Sequence, residues 1–356
     1  MTRRTLVICA VATMLAACTS NSAQQSSILA PTAPNAAKHG MVPVPAVGPA
    51  RIRPDHHKSW VSPDAKRAPR LLFVPDYGAS EVFIFALPSM ALKGTLTGFD
   101  FPEGACTDAN GDIWIANTGA QEMQLYSRTG TLLKTLSVPN EYPAACAINK
   151  TNGDLAVTDI ESTSGPGNVE IFTNASGTGT AYSNASIYEY FFAGYDPSGD
   201  LFVDGENASR TSAYLGELAS NGSTINLINL TGGTLHTAGM VQWYKVGNYL
   251  ALGDQGCGGT TSSCIYWVSI AGSSGTITAT TNLTNYEGGS VCDLVQGVIA
   301  ADRERYVTGP DYEFCGYTPT TASRWPYEAG GGPTSYNNSA PFVEPIGAAV
   351  STLVRK

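Results

Sequence analysis

Six acids and amides recur along the chain, each closing a short apolar run: Asp76, Asn117, Asp159, Asp204, Asp254 and Asp311. Carboxylate and amide oxygens are the donors that a hard cation such as calcium takes, so a set of them converging on one mouth would suit a metal. Glu103 opens the run before Asn117, and His236 precedes the run that ends at Asp254. The repetition also has a structural reading. An Asp or Asn side chain bonds the backbone two residues on and so forms a turn. A site needs a few such residues, whereas a repeated fold uses one in every unit. Serine chemistry is not indicated, because no Gly-x-Ser-x-Gly elbow accompanies His236, the sole histidine after residue 57. Thr231-Gly-Gly-Thr234 and Gly330-Gly-Gly332 lack a following Lys-Ser/Thr and read as turns, not phosphate loops.

The elements that must hold these residues also repeat. Aligned on the first large apolar residue of each strand, Leu72, Ile113, Leu155, Leu201, Leu250 and Tyr306 fall 41, 42, 46, 49 and 56 residues apart. A period of about 40–50 residues with four strands per unit is the signature of a propeller. One unit shows all four: Gly104–Thr107, Ile113–Ala116, Met123–Ser127 and Leu132–Val138. Asn110-Gly111, Asn152-Gly153 and Ser198-Gly199 supply equivalent hairpin turns, and the first predicts a type I′ turn with positive φ at both central residues. Pro345-Ile-Gly-Ala-Ala-Val-Ser351 parallels Pro102-Glu-Gly-Ala-Cys-Thr-Asp108, so the C-terminus supplies the strand that the first unit lacks. The expected fold is all-β: a six-bladed β-propeller over residues 69–356, closed by the C-terminal strand pairing with the first blade.

In such a blade the start of strand one and the end of strand two share a face with the interblade loops. Tyr142, Phe191, His236 and Gln296 are therefore ligand-face candidates there. Aromatics at a propeller mouth can bind peptide or sugar. Aligning the first strands on their turns places Ala144, Phe191, Gln296 and Ile346 at the Glu103 position, a ring with few oxygen donors.

The N-terminus predicts export. Thr2-Arg3-Arg4, apolar Leu6–Leu15 and Leu15-Ala-Ala-Cys18 form the three regions of a signal peptide over residues 1–17. Small residues before a cysteine resemble the bacterial lipobox, which makes Cys18 the acylated N-terminus; Thr19 in place of Asp favours the outer membrane. Residues 18–68, rich in Ala, Ser and Pro, read as a disordered tether. Residues 19–68 carry a balance of +4 and residues 69–356 one of −15. The basic part suits anionic head groups, and the acidic body makes nucleic acid an improbable partner. The membrane, through the lipid, and an envelope protein or glycan are the expected partners of a monomer.

Six cysteines remain after Cys9 and Cys18. With no Cys-x-x-Cys and no adjacent His, they suit disulfides better than zinc, and 15 connectivities are open. Strand positions favour Cys106–Cys146 between adjacent first strands, Cys257–Cys264 within one loop, and Cys292–Cys315 across the sixth blade.

Pro102-x-Gly-Ala…Gly111-Asp-Ile-Trp-Ile-Ala-Asn117, followed by Glu122-Met-Gln-Leu-Tyr126 and Gly130-Thr-Leu-Leu133, resembles NHL-repeat proteins and the wider group of regucalcin, gluconolactonases and calcium-dependent phosphotriesterases. More narrowly, the chain is similar to poorly characterised bacterial lipoproteins built from one such propeller. The resemblance spans about residues 59–351 and implies the fold directly. For activity it implies a metal-dependent hydrolase using Glu103 with Asn117, Asp159 or Asp254, and possible calcium. The chain departs from that pattern around the axis, where Glu103 alone carries over well. The preferred expectation is a non-catalytic binding module, with the hydrolase and a purely structural envelope protein as alternatives.

Overall fold

The computed structural model describes residues 58–299, 305–312 and 320–353. Short β-branched and aromatic runs separated by Gly, Asn and Asp turns fold into six small sheets, antiparallel but for the outer strand Asn229–Thr231 of blade five, and all but the first built from neighbouring segments of chain. Blade two is the plainest example: Pro102–Thr107, Ile113–Asn117, Glu122–Tyr126 and Leu132–Ser137 pair in sequence order. Blade six comprises Val298–Ile299, Tyr306–Asp311, Thr321–Pro326 and Ser335–Asn337.

Every aligned residue named above sits in the second strand of its blade. Those strands are buried throughout or nearly so, as in Arg70–Asp76 and Tyr249–Asp254. Both faces of each sheet lie against other blades, which removes the apolar–polar alternation expected of a half-exposed strand. The apolar clusters accordingly join neighbouring sheets. One brings Phe73 and Ile84 of blade one against Ile113 and Ile115 of blade two.

The ring closes as the sequence implies. Ala349–Thr352 pairs with Arg70–Phe73, and an isolated bridge joins Pro345 to Asp76. That bridge matches the pairing of Pro102 with Asn117 in blade two. The closing strand thus becomes the innermost strand of blade one and leaves the strand Arg70–Asp76 no open edge.

Two details depart from the sequence reading. Residues 58–68, expected to be tether, include Trp60–Val61, a fifth strand on the outer edge of blade one, and a 3-10 turn at Pro63–Arg67. Exposed edges favour such a cover, and Pro63 preorganises the turn. The Asn110-Gly111 turn is not type I′. Gly111 has φ of +83° but Asn110 is not in the left-handed region. The Asp108 carboxylate accepts the N–H of Asn110 (2.8 Å) and of Asp112 (2.9 Å), and Gly111 follows as the left-handed residue. Asp196 repeats this with Ser198 and Asp200.

Two of the three expected disulfides are present. Cys106–Cys146 joins the inner strands of blades two and three, and Cys257–Cys264 staples the loop of blade five. Cys315 lies outside the described residues, as do Cys18 and the whole signal segment.

Candidate functional site

Asp76, Asn117, Asp254 and Asp311 end their second strands and hold the loop that leads into the inner strand of their own blade, whereas Asp159 and Asp204 lie inside theirs. Asp76 accepts the N–H groups of Val343 (2.9 Å) and Glu344 (2.8 Å), just before Pro345. Asn117 accepts the Asp100 N–H (2.7 Å) and donates to Glu122 (2.9 Å). Asp254 accepts the N–H groups of His236 and Thr237 and the Tyr266 hydroxyl (3.1 Å), and Asp311 accepts the Cys292 N–H. Asp204 accepts from Phe192 and Gly239, one on its own inner strand and one on the next blade's. The local turn bonds predicted for these residues also occur, to Ala79 and to Gly256.

Asp159 is the exception. Its carboxyl is fully buried and neither oxygen has a hydrogen-bond partner. Burial pushes its pKa well above the usual range, and Glu170 and Glu141 push it further. Glu141 is itself raised to about 7 by burial and by Glu170, against a hydrogen bond from Asn168.

Glu103 is the second orphan. It occupies a bulge of the inner strand, between the paired residues Pro102 and Ala105. Both its oxygens are buried without a partner, and burial, then Glu344, hold it well above a normal glutamate while Arg210 partly offsets them. Matching bulges place Ala144, Phe191 and Gly239 in blades three, four and five, and Ile346 lies beside Gly347 where both N–H groups donate to the Pro75 carbonyl. Gly239 is the position that the irregular fifth blade hid from sequence alignment. Tyr77, Phe191 and Ile346 belong to one apolar cluster at this end, and Phe101 stacks on Tyr77 with ring centroids 4.8 Å apart.

Of the metal set expected from the sequence, Glu103 and Asp159 keep both carboxyl oxygens buried without a hydrogen-bond partner. Asn117 and Asp254 are committed to the bonds above. Among the described residues no three Asp, Glu, His or Cys side chains are grouped so as to hold a metal ion. The ligand-face candidates also separate. Tyr142 and Phe191 are buried in the packing, and His236 is exposed with Nδ1 3.2 Å from the Asp254 carboxylate. Gln296 is a tie between blades: its Oε1 accepts the N–H groups of Ala105 (3.0 Å) and Ala348 (2.8 Å), and its Nε2 donates to the Ala105 carbonyl (2.9 Å).

Sequence reasoning missed two features. Arg210 forms a two-pronged ion pair with Glu189 at 2.6 and 2.8 Å, its charge further favoured by Glu206 and Glu161. Its isolation among acids was the available signal. The other is an axial cavity of about 440 Å³, lined by the later halves of the inner strands from Ala105, Cys146, Ala193, Val241 and Ala348 onward. It opens towards the Asp108–Gly111 turn, the end opposite Glu103, with Gln296 at its inner level. Tyr195 and Trp243 contribute to the wall and Lys150 and Ala109 to the mouth.

Fold and axis together define a six-bladed β-propeller with the orphaned Glu103 carboxyl towards one axial end and an open cavity at the other. Residues 80–161 match the model for the SMP-30/gluconolactonase/LRE-like region. A chain from the crystal structure of a nidogen/laminin complex superposes with a TM-score of 0.60 at 8% identity, covering 80% of this chain and 100% of its own. A protein of unknown function from Bacteroides caccae superposes with a TM-score of 0.58 at 12% identity, covering 80% and 99%. At these identities the likeness is one of fold. No curated protein matches the chain.

Proposed function

We propose that the protein is an extracytoplasmic, lipid-anchored propeller that acts as a binding module, with its ligand seated at the axis. The observation that carries this reading is the open axial cavity. Its volume of about 440 Å³ falls in the range of small-ligand pockets, and it combines aromatic, small and polar wall residues. This moves the seat from the interblade-loop face to the opposite one, because the Glu103 end is filled by Tyr77, Phe191 and Ile346. Native mass spectrometry of the mature protein from envelope extracts should detect a retained ligand. Ala109→Trp, an exposed change at the cavity mouth, should abolish retention; undiminished retention would count against the axial seat.

The anchor is tested separately. Labelled fatty acid should enter the parent and not Cys18→Ala, and the label should fractionate with the outer membrane. Its absence from the parent removes the anchor and leaves the binding seat untouched.

A metal-dependent hydrolase is the second reading, favoured by the partnerless Glu103 carboxyl and by the gluconolactonase-like match. It requires a stoichiometric divalent cation whose removal by chelator abolishes lactonase or esterase activity. Protein purified without chelator and containing no such cation would end that reading.

A further inference from the structure

The way Gln296 is held indicates what kind of group the axis recognises. In an antiparallel ladder, residues alternate between aiming N–H and C=O at the neighbouring strand and aiming both away from it. The innermost strand of a blade has no neighbour on its axial side. Every second residue therefore aims its backbone groups inward. Ala105 is such a residue, since both its N–H and its C=O meet the Gln296 carboxamide, and Ala348 presents its N–H to the same oxygen. By ladder position Cys146, Ala193 and Val241 are the equivalents in blades three, four and five. All of them line the cavity.

Gln296 is thus an amide already bound at one end of this channel, with two donors on its oxygen and one acceptor for its N–H₂. Beyond it the wall mixes small residues with Tyr195 and Trp243, and the strand edges continue with the same period, the Val350 carbonyl among them accepting the Thr107 hydroxyl. We propose that the axial cavity binds a short extended peptide segment through these inward strand edges, as the Gln296 carboxamide is bound. Alternating donors and acceptors spaced along a strand match a peptide backbone, the basis of strand-addition recognition. Sugar hydroxyls are a poorer fit. Among the lining residues the side-chain acids and amides are Asp108, Gln242 and Gln296. Asp108 is taken up by its turn, Gln242 bonds Ile299 through both ends of its amide, and Gln296 is engaged as above. Backbone-to-backbone contacts make binding tolerant of sequence, while Lys150 at the mouth is exposed and suits a terminal carboxylate.

This inference rests on the binding-module reading and names its ligand class. Its test uses the full chain and two probes. Acetyl-trialanine should bind the parent saturably, and Ala109→Trp should weaken it at least tenfold. Lys150→Glu should weaken the free acid more than the corresponding amide. Gln296→Ala should melt at a lower temperature than the parent, and propionamide should raise that temperature in a saturable way while propionate does not. Absence of saturable peptide binding by the parent overturns the proposal, even if the variant fails to fold. Equal rescue of Gln296→Ala by propionate overturns it as well. If a native ligand is retained at the axis while acetyl-trialanine fails, the peptide class falls and the binding module stands.

Discussion

Glu103 is most informative as a group that resists ionisation. An acid whose pKa is raised on folding binds its proton more tightly in the native state, so stability is greatest at low pH and is lost as pH rises towards the folded value. In Glu103→Gln the charge cannot form. The melting temperatures of parent and variant should nearly coincide at pH 5, and the variant should become the more stable as the pH rises towards and beyond 8. A variant that is less stable at every pH would mean that the carboxylate is held as an anion by a bound cation. Asp293, pushed up to about 8 by burial, then by Asp311 and Glu344, adds to the same trend. So do Glu141 and Glu344, both raised to about 7 chiefly by burial. The parent should therefore lose thermal stability steadily from pH 5 to pH 8. Gln296 predicts the opposite kind of change. Gln296→Leu leaves two N–H groups and a carbonyl without their partner, at a cost of about 1–3 kcal/mol each before water enters the channel. Urea unfolding should show a loss of several kcal/mol.

At the scale of the strand, the inner ring depends on close approach. A Cβ on Gly104 would sit 2.5 Å from that of Ala145, so Gly104→Val should disrupt the seam between blades two and three. The Cys106–Cys146 bond crosses the same seam and closes a span of 40 residues. Replacing both cysteines with alanine should lower stability by about 2–4 kcal/mol in the chain-entropy picture, measured against the parent under identical conditions. Much at this scale was legible in the sequence. The repeat placed the second strands, and the positions of Cys106 and Cys146 in adjacent first strands gave their pairing. The turn type was not legible, because Asn-Gly suits more than one hairpin and the Asp108 side chain decides between them. The roles of Asp76, Asn117 and Asp254 were only half legible. Their local turn bonds follow from residue type, but their partners in the entering loop lie 17 or more residues away. The axial cavity left no sequence signal, since its walls are mostly backbone edges, which every sequence possesses.

For the molecule as a whole, closure depends on a small C-terminal segment. Asp76 fixes Val343 and Glu344, Ala349–Thr352 completes blade one, and Ser351 donates to the Gly111 carbonyl of blade two. Truncation after residue 344 exposes the inner edge of the strand Arg70–Asp76 and should give aggregated protein, read by light scattering, where loss of the same length from an ordinary tail would be silent. The order of synthesis gives this join a further consequence. Blade one's other four strands, between residues 60 and 96, leave the ribosome long before their innermost partner, Ala349–Thr352. A chain that stops before Ala349 therefore cannot close the ring. Such a chain keeps the inner edge of the strand Arg70–Asp76 unpaired and prone to aggregate.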